Sequence, residues 1–446
     1  MDNQLTIRQK QVLNEKLADS LQSPIPSGIP RQIVGQKEFP RKATAVIGMR
    51  RAGKTTFVHQ LRQDRVERGR PQATLPYINF EDERLVNLTV ESLSYLIDEY
   101  GRQFSDLRQE YPVTWCFDEI QTIPNWERLV RRLLDTEGNE VIVTGSSAAL
   151  LSKEIATALR GRAWEVPIYP FSFRESLSYK GKDIPRNVTF IGAKERQEIE
   201  KEVILWLQSG GFPEAQDLDT PSRYQLLRDY VDVAMLRDIM ERHDVRNLAG
   251  LRWLLRHLLG NPASNFSVEK FYRGLKSQGI AISKDMLHQM LGYVEDCFLI
   301  RTIWMESNSE QQRRVNPRKV YPIDTGLIPV FDRSGKANIG HALETAVLIE
   351  LERRRLQITW VRSPNGYEVD FLTRDAEGNE ELIQVCADAT DLGTGNREIR
   401  ALVDVESVYP KARKLLLTLT QDGIPKNLPD SITPYPIYEW LLEPLS

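Results

Sequence analysis

One run restricts this chain more than any other: Ala43-Thr44-Ala45-Val46-Ile47-Gly48-Met49-Arg50-Arg51-Ala52-Gly53-Lys54-Thr55-Thr56. Its first five residues are apolar or β-branched and read as a buried strand. Beyond the loop, Phe57, Val58 and Leu61 fall on one face of a helix. A strand, a loop bounded by two glycines, Lys-Thr and a helix is the spacing of a phosphate-binding loop. The physics fixes the residue types. Gly48 and Gly53 let the backbone curl so that successive N–H groups point at phosphate oxygens. The positive end of the following helix adds its partial charge at the same place. On this reading residues Gly48 and Arg50 to Thr56 line the phosphates. Lys54 reaches the β- and γ-phosphates of ATP, and the Thr55 hydroxyl ligates Mg²⁺.

From Arg41 to about Tyr169 the pattern alternates strand and helix, which implies a parallel sheet covered on both faces. Leu75 to Phe80 is a second strand, and a helix follows from about Val90 to Gln109. Val113 to Phe117 is apolar enough to be buried on both faces and ends in Asp118-Glu119. Acids often end strands without further meaning. Downstream of a phosphate loop they read as a Walker B pair, Asp118 for Mg²⁺ and Glu119 to polarise the attacking water. The next strand, Glu140 to Thr144, leads into Gly145-Ser146-Ser147; a hydroxyl here, Thr144 or Ser146, can sense the γ-phosphate, and Ser146 or Ser147 can equally cap the following helix. Arg160 and Arg162 precede a fifth strand from Ala163. They are candidates for touching the γ-phosphate, in the same chain or across a subunit interface.

Composition sets limits around this core. A chain of 446 residues is too long for one ordinary core. Its net charge of −3 excludes a generally basic nucleic-acid binder, while 27% charged and 41% hydrophobic residues exclude a disordered chain. Cys116, Cys297 and Cys386 are too far apart for a disulfide framework or a zinc site, which fits a reducing cytoplasm. No apolar run approaches the length of a membrane span, and no secretion signal is visible at Met1 to Gln4. Residues 1–40 read as an arm with a helix from about Leu5 to Leu21, followed by a Pro-rich break.

These stretches together resemble the bacterial and archaeal AAA+-type ATP-binding proteins that carry the C-terminal domain of unknown function 4143. The resemblance rests on Gly48 to Thr56, Asn79 to Leu85, Phe117 to Gln121, Thr144 to Ser147 and Leu159 to Arg162. It continues through Tyr169 to Glu175, Gly210 to Glu214, Val369 to Phe371 and Gln384 to Cys386, as far as Trp440 to Leu442. It implies an ATPase core, a helical, winged-helix-like middle and a restriction-endonuclease-like C-terminal domain.

On its own terms the second half reads similarly. Helices are expected at Leu251–Leu259, Val268–Leu275 and Lys284–Glu295, then two strands at Phe298–Trp304 and Lys319–Ile323. Three helices and a hairpin make a winged helix, with Ser283 capping the recognition helix. Between Leu251 and Val320 eleven Lys/Arg face six Asp/Glu, 11 − 6 = +5. Arg313, Arg314, Arg318 and Lys319 in the presumed wing suit phosphate contacts, so residues 223–335 are expected to meet DNA or a protein. Past Gly335 the pattern is mixed α/β. Glu344 on a helix, Asp370 on a strand and Gln384-x-Cys386 on the next strand follow the order of the endonuclease-like core. That core normally carries acid-x-Lys in the last position, and the substitution argues against cleavage.

The reading is therefore an α/β P-loop NTPase parallel sheet with an inserted strand, of AAA+ type, then the winged-helix-like and endonuclease-like domains. The expected bounds are 1–40, 41–220, 221–335 and 336–446. The expected function is a Mg²⁺-dependent, cytoplasmic ATPase, able to form a homo-oligomer. The alternatives are a slow nucleotide switch and an ATP-regulated nuclease acting on DNA.

Overall fold

The computed structural model describes residues 6–135, 138–145, 159, 161–307, 309, 317–332 and 338–444. They form two compact units, Met1–Ile168 and Tyr169–Ser446.

The first unit is built on five parallel strands in the order β2-β3-β4-β1-β5. These are β1 (Ala43–Ile47), β2 (Tyr77–Asn79), β3 (Thr114–Asp118), β4 (Glu140–Gly145) and β5 (Ala163–Pro167). Strand β4 thus lies between the loop-bearing β1 and the acid-bearing β3. Both β1 and β3 are buried along their whole length, as a parallel sheet covered on two faces requires. On one face Cys116 packs with Val46, Phe57, Val58 and Leu61. On the other, Trp115 and Phe117 stack with ring centroids 5.7 Å apart, and Tyr100 of the helix Val90–Gln103 meets Trp115 edge-on. The single helix expected to reach Gln109 breaks at Phe104 and resumes as Ser105–Glu110. The N-terminal helix Ile7–Gln22 starts with a Thr6/Gln9 capping box and buries Val12, Leu13, Leu17 and Leu21. Among the described residues no helix is long and apolar enough to cross a membrane.

The second unit holds two sheets. A three-stranded antiparallel sheet has the order β6-β8-β7, from β6 (Ser264–Phe266), β7 (Ile300–Trp304) and β8 (Arg318–Pro322). Beside it stand the helices Leu248–Gly260, Val268–Ser277 and Lys284–Asp296. The last begins at Ser283, whose hydroxyl accepts the Met286 N–H at 3.1 Å. A five-stranded mixed sheet has the order β13-β12-β11-β10-β9, from β9 (Gln357–Arg362), β10 (Glu368–Arg374), β11 (Glu380–Cys386), β12 (Arg413–Thr418) and β13 (Ile432–Pro436). Strand β13 carries Pro434 and Pro436, which is tolerated because it is an edge. One face of this sheet packs Phe371, Ile383 and Leu415 on the helix Ile339–Arg353, and the other packs Leu372, Leu382 and Leu416 on Leu392–Asp404.

Phe173, Val203, Trp206 and Leu207 share the first of these cores with Leu343, Trp360 and Tyr438. The stretch 169–220, assigned from sequence to the ATPase domain, therefore lies in the second compact unit. A glycine pair turns the chain after the helix Ala193–Ser209. Gly210 has φ 76°, and a Cβ there would lie 1.9 Å from the Asp324 carboxylate. The same carboxylate accepts the Gly211 N–H at 2.7 Å and the Gly326 N–H at 3.0 Å.

Candidate functional site

Strand β1 ends at Ile47 and the chain turns sharply. Gly48 has φ 149°, and a Cβ there would lie 2.1 Å from the Ile168 carbonyl oxygen, so only glycine fits. Arg51 and Gly53 also take positive φ, 66° and 101°. Gly53 caps the helix Lys54–Glu67 without a side chain, so the first N–H groups of that helix have no capping oxygen. The buried Lys54 ammonium curls back, donating to the carbonyls of Gly48 at 3.1 Å and Met49 at 3.2 Å. A loop so braced presents backbone donors and one ammonium to an anion.

Two acids face it from β3. Asp118 is 1% exposed and accepts the Thr55 hydroxyl at 2.8 Å, the Tyr77 hydroxyl at 2.7 Å and the Thr144 hydroxyl. Burial first, and the Asp118 charge second, push the Tyr77 phenol far above its ordinary range, so it remains a neutral donor. Glu119 sits in the left-handed region at φ 54°, a conformation that costs a non-glycine residue about 1–2 kcal/mol. Its N–H donates to Thr144 Oγ1 at 3.0 Å, which fixes that backbone. Its carboxylate lies 3.7 Å from Lys54 Nζ and accepts the Gln121 side-chain amide. Thr144 thus ties the two acids together from the inserted strand.

The other residues singled out from sequence are placed unevenly. Arg50 pairs with Glu81, Arg51 is exposed, and Ala52 is buried under the loop with its N–H on the Met49 carbonyl at 3.2 Å. Thr56 is half-buried on the first turn of the helix. Ser146, Arg160, Arg313 and Arg314 lie outside the described residues. Arg162 pairs with Asp135 at 2.8 Å, and its carbonyl accepts the Ala43 N–H at 2.8 Å. Ala43 opens β1, whereas the loop follows its other end. Arg162 thus lies at the end of the strands opposite the loop, about five residues or ~16 Å along β1 from it.

Two residues at the loop were missed. Tyr77 was read only as part of a strand, although a buried tyrosine hydroxyl needs a partner and β2 lies beside β3. Arg31 comes from the arm and carried no periodic signal. Its buried guanidinium donates to the Ala52 carbonyl at 2.8 Å and would sit 2.9 Å from a Cβ at Gly53.

A second polar cluster lies inside the second unit. Glu344 and Asp370 come together around a lysine from elsewhere and Gln384 touches the Asp370 backbone, whereas Cys386 packs on the other face of the sheet with Leu382 and Leu416. Lys319 Nζ stands 3.0 Å from Asp370 Oδ1 and 3.2 Å from Glu344 Oε1. Glu344 also accepts the Tyr321 hydroxyl at 2.7 Å. Asp370 Oδ2 accepts the Val385 N–H at 3.1 Å, and the Asp370 N–H donates to Gln384 Oε1 at 3.3 Å. Burial pushes the Cys386 thiol up to about 11, aided by the nearby Glu398 charge, so it is a neutral buried side chain. Burial also holds Glu344 above the ordinary carboxylate range. It opposes the Lys319 charge, but Asp370 and Glu344 more than offset this and raise the ammonium's pKa. Lys319 is 4% exposed, which overturns its expected place as a phosphate contact in a wing. Arg318 next to it is half-buried, with its guanidinium 4.2 Å from the Trp304 ring centre.

Residues 40–177 match the family described as an AAA domain, in agreement with the loop geometry, and residues 200–336 match a domain of unknown function, DUF8612. The uncharacterized protein MJ1544 of Methanocaldococcus jannaschii is 32% identical over 98% of this chain and 96% of its own length. An uncharacterized protein of Haemophilus influenzae is 26% identical over 89% of this chain and 94% of its own length. Among solved structures, the Walker-type ATPase PABY2304 of Pyrococcus abyssi aligns with 72% of this chain and 95% of its own, at 18% identity and a TM-score of 0.41.

Proposed function

The chain belongs to the same family as the Methanocaldococcus jannaschii protein MJ1544, and we propose that it is a Mg²⁺-dependent ATPase whose nucleotide state governs its second unit. Its AAA domain makes it a nucleotide-binding protein of the AAA type. One observation carries the finer reading: Thr55, from the loop, and Asp118, from β3, share a hydrogen bond of 2.8 Å. That bond brings a hydroxyl and a carboxylate to one point, a donor set of hard oxygens suited to Mg²⁺. Bound there, Mg²⁺ neutralises phosphate charge and draws electron density from the γ-phosphoryl group.

The chain's own residues have separate tasks in this reading. Backbone N–H groups from Arg50 to Thr55 and the Lys54 ammonium hold the β- and γ-phosphates. Glu119 Oε1 takes the proton of the attacking water. Thr144 keeps Glu119 and Asp118 in register, and Ser146 senses the γ-phosphate from the chain beyond β4. Arg160 or Arg162 contacts the γ-phosphate, in its own chain or across the interface of a homo-oligomer. ATP turnover measured across a Mg²⁺ titration tests the proposal. Nucleotide binding with no Mg²⁺-dependent phosphate release would reject it.

A slow switch is the second reading, and one contact favours it. Glu119 is engaged by both Lys54 and Gln121, so its carboxylate must be released before it can act as a base. A partner that frees it would then start turnover. Residues 221–335 are read as a winged-helix-like module that meets DNA or protein. Residues 336–446 are read as the restriction-endonuclease-like domain of unknown function 4143, serving as a binding surface without nuclease activity. The protein is read as cytoplasmic.

A further inference from the structure

Two clefts adjoin in the second unit, of about 610 and 640 Å³. They share Arg256, Phe331 and Asp332 in their walls. Arg228 and Arg252 line the first, and Lys270 lines the second. Among the described residues none of Arg228, Arg252, Arg256 and Lys270 has a side-chain hydrogen bond or an ion pair with a carboxylate. Elsewhere in this unit exposed cations are commonly paired, as Arg273 and Lys284 are with Glu269. Two carboxylates, Asp232 and Asp332, also line these walls, so among the described residues four cations face two anions.

The second cleft adds aromatic faces. Trp253 is 41% exposed beside Arg252, a large apolar surface left in water. The His257 ring packs 5.0 Å from Phe271 and 5.7 Å from Phe266. Desolvation against these rings, then the Lys270 charge, lowers the His257 pKa from its ordinary value. Asn265 and Gln278 supply amide donors and acceptors at the same cleft. Arg252 and Arg256 stand four residues apart on one face of Leu248–Gly260, ~6 Å along the axis. Successive phosphates of an extended strand can match that spacing.

We propose that these joined clefts bind single-stranded nucleic acid, with phosphates on Arg228, Arg252 and Arg256 and bases against Trp253 and the His257–Phe271 wall. Unpaired cations beside exposed rings suit a strand whose bases are free to stack. A duplex hides its base faces and cannot enter a concave cleft of this size. The proposal rests on the reading that residues 223–335 take nucleic acid, and moves the contact away from Arg318 and the helix Lys284–Asp296.

The test uses the full chain and fluorescein-labelled oligonucleotides of about 16 nucleotides, as single-stranded DNA, single-stranded RNA and duplex DNA. Anisotropy is followed from about 50 to about 200 mM salt. Wild type should bind the single strands more tightly than the duplex, and the DNA and RNA arms identify the preferred backbone. Arg252→Glu with Arg256→Glu should weaken single-strand binding at least tenfold and flatten the salt slope by about 1.4, two contacts at ~0.7 each. Trp253→Ala should weaken it about fivefold or more. Unchanged thermal unfolding and ATP turnover show that these surface variants are folded. If wild type binds single strands and the groove variants bind equally well, the clefts are wrong but the region stands. If Arg318→Ala abolishes binding instead, the wing is the site. If wild type binds no oligonucleotide at about 50 mM salt, this proposal and the nucleic-acid reading both fall.

Discussion

Lys319 and Asp370 meet across two sheets: Nζ on β8 lies 3.0 Å from Oδ1 on β10, and Glu344 shares the same ammonium at 3.2 Å. Each of the three is less than a tenth exposed. Truncating one partner of such a group leaves a buried charge alone, at a cost of about 3–5 kcal/mol. Lys319→Met keeps the stem and removes the charge. It should lower unfolding stability in urea by that amount. The sign of its pH dependence follows from Glu344, whose folded pKa lies above the unfolded value. A group raised in this way contributes stability below its unfolded pKa that is lost as pH rises through the folded one. Without the lysine the loss should deepen, so the variant should suffer more at pH 8 than at pH 5. A penalty under about 1 kcal/mol at both pH values would refute the account.

Asp324 predicts a second pH effect. Burial pushes its carboxyl up to about 6 although it accepts two backbone N–H groups. Its unfolded value is 3.8, so the associated stability is full below that pH and is lost through about 6. The change amounts to about 3 kcal/mol at 1.36 kcal/mol per unit. Asp324→Asn cannot ionise, and its stability profile should lack this fall. Parallel profiles for the two proteins between pH 4 and pH 7 would count against the assignment.

At the loop, binding and turnover should separate. Lys54→Ala removes the ammonium braced on Gly48 and Met49 and should abolish tight ATP binding. Glu119→Gln keeps the shape and should retain binding, with turnover reduced about 100-fold or more, the usual contribution of a positioned base. Nucleotide affinity by calorimetry and phosphate release are the readouts. Wild-type turnover in Glu119→Gln would show that another group takes the proton.

Arg31 should matter to nucleotide affinity. Its guanidinium holds the Ala52 carbonyl and lies against Gly53, where φ is 101°. A charge-assisted hydrogen bond of this kind contributes roughly 1.5–3 kcal/mol. Arg31→Ala should therefore loosen the loop and weaken ATP binding about tenfold or more, with Arg31→Lys recovering part of it. Equal ATP affinity in Arg31→Ala and wild type would leave the arm without a role at the site.

What the sequence revealed followed from local rules. The loop, both acids and Thr144 were legible because each sits at a strand end, where spacing along the chain determines position in space. The missed pieces depend on contacts between distant segments. Arg31 is 21 residues from Ala52 and Tyr77 is 41 from Asp118, and no periodicity connects either pair. Strands β6 and β13 escaped for different reasons: three residues carry no alternation, and two prolines argue against a strand until its edge position is known. Lys319 was misread because a lysine in a basic run reads as surface. Only the register of β8 against β7 turns it inward.

The order expected of an endonuclease-like core ends here in Gln384-x-Cys386, and a lysine from β8, Lys319, stands beside Asp370 instead. That lysine should not restore a nuclease. Its ammonium already occupies the space between Glu344 and Asp370, where a metal-dependent enzyme of this type would hold its cation. Gln384 offers a neutral amide oxygen, a weaker ligand for Mg²⁺ than a carboxylate, and that oxygen already accepts the Asp370 N–H. Cys386 is a neutral thiol near pH 7 and donates to the Asp388 carbonyl at 3.2 Å. A phosphodiester would also have to reach side chains that are almost wholly buried. The protein should therefore leave single- and double-stranded DNA and RNA intact in Mg²⁺ or Mn²⁺, with or without ATP. Gel analysis after long incubation is the measurement, and Asp370→Ala is the control for contaminating nucleases. Cleavage by the wild type that disappears in both Asp370→Ala and Lys319→Met would show that Lys319 serves the reaction rather than closing the site.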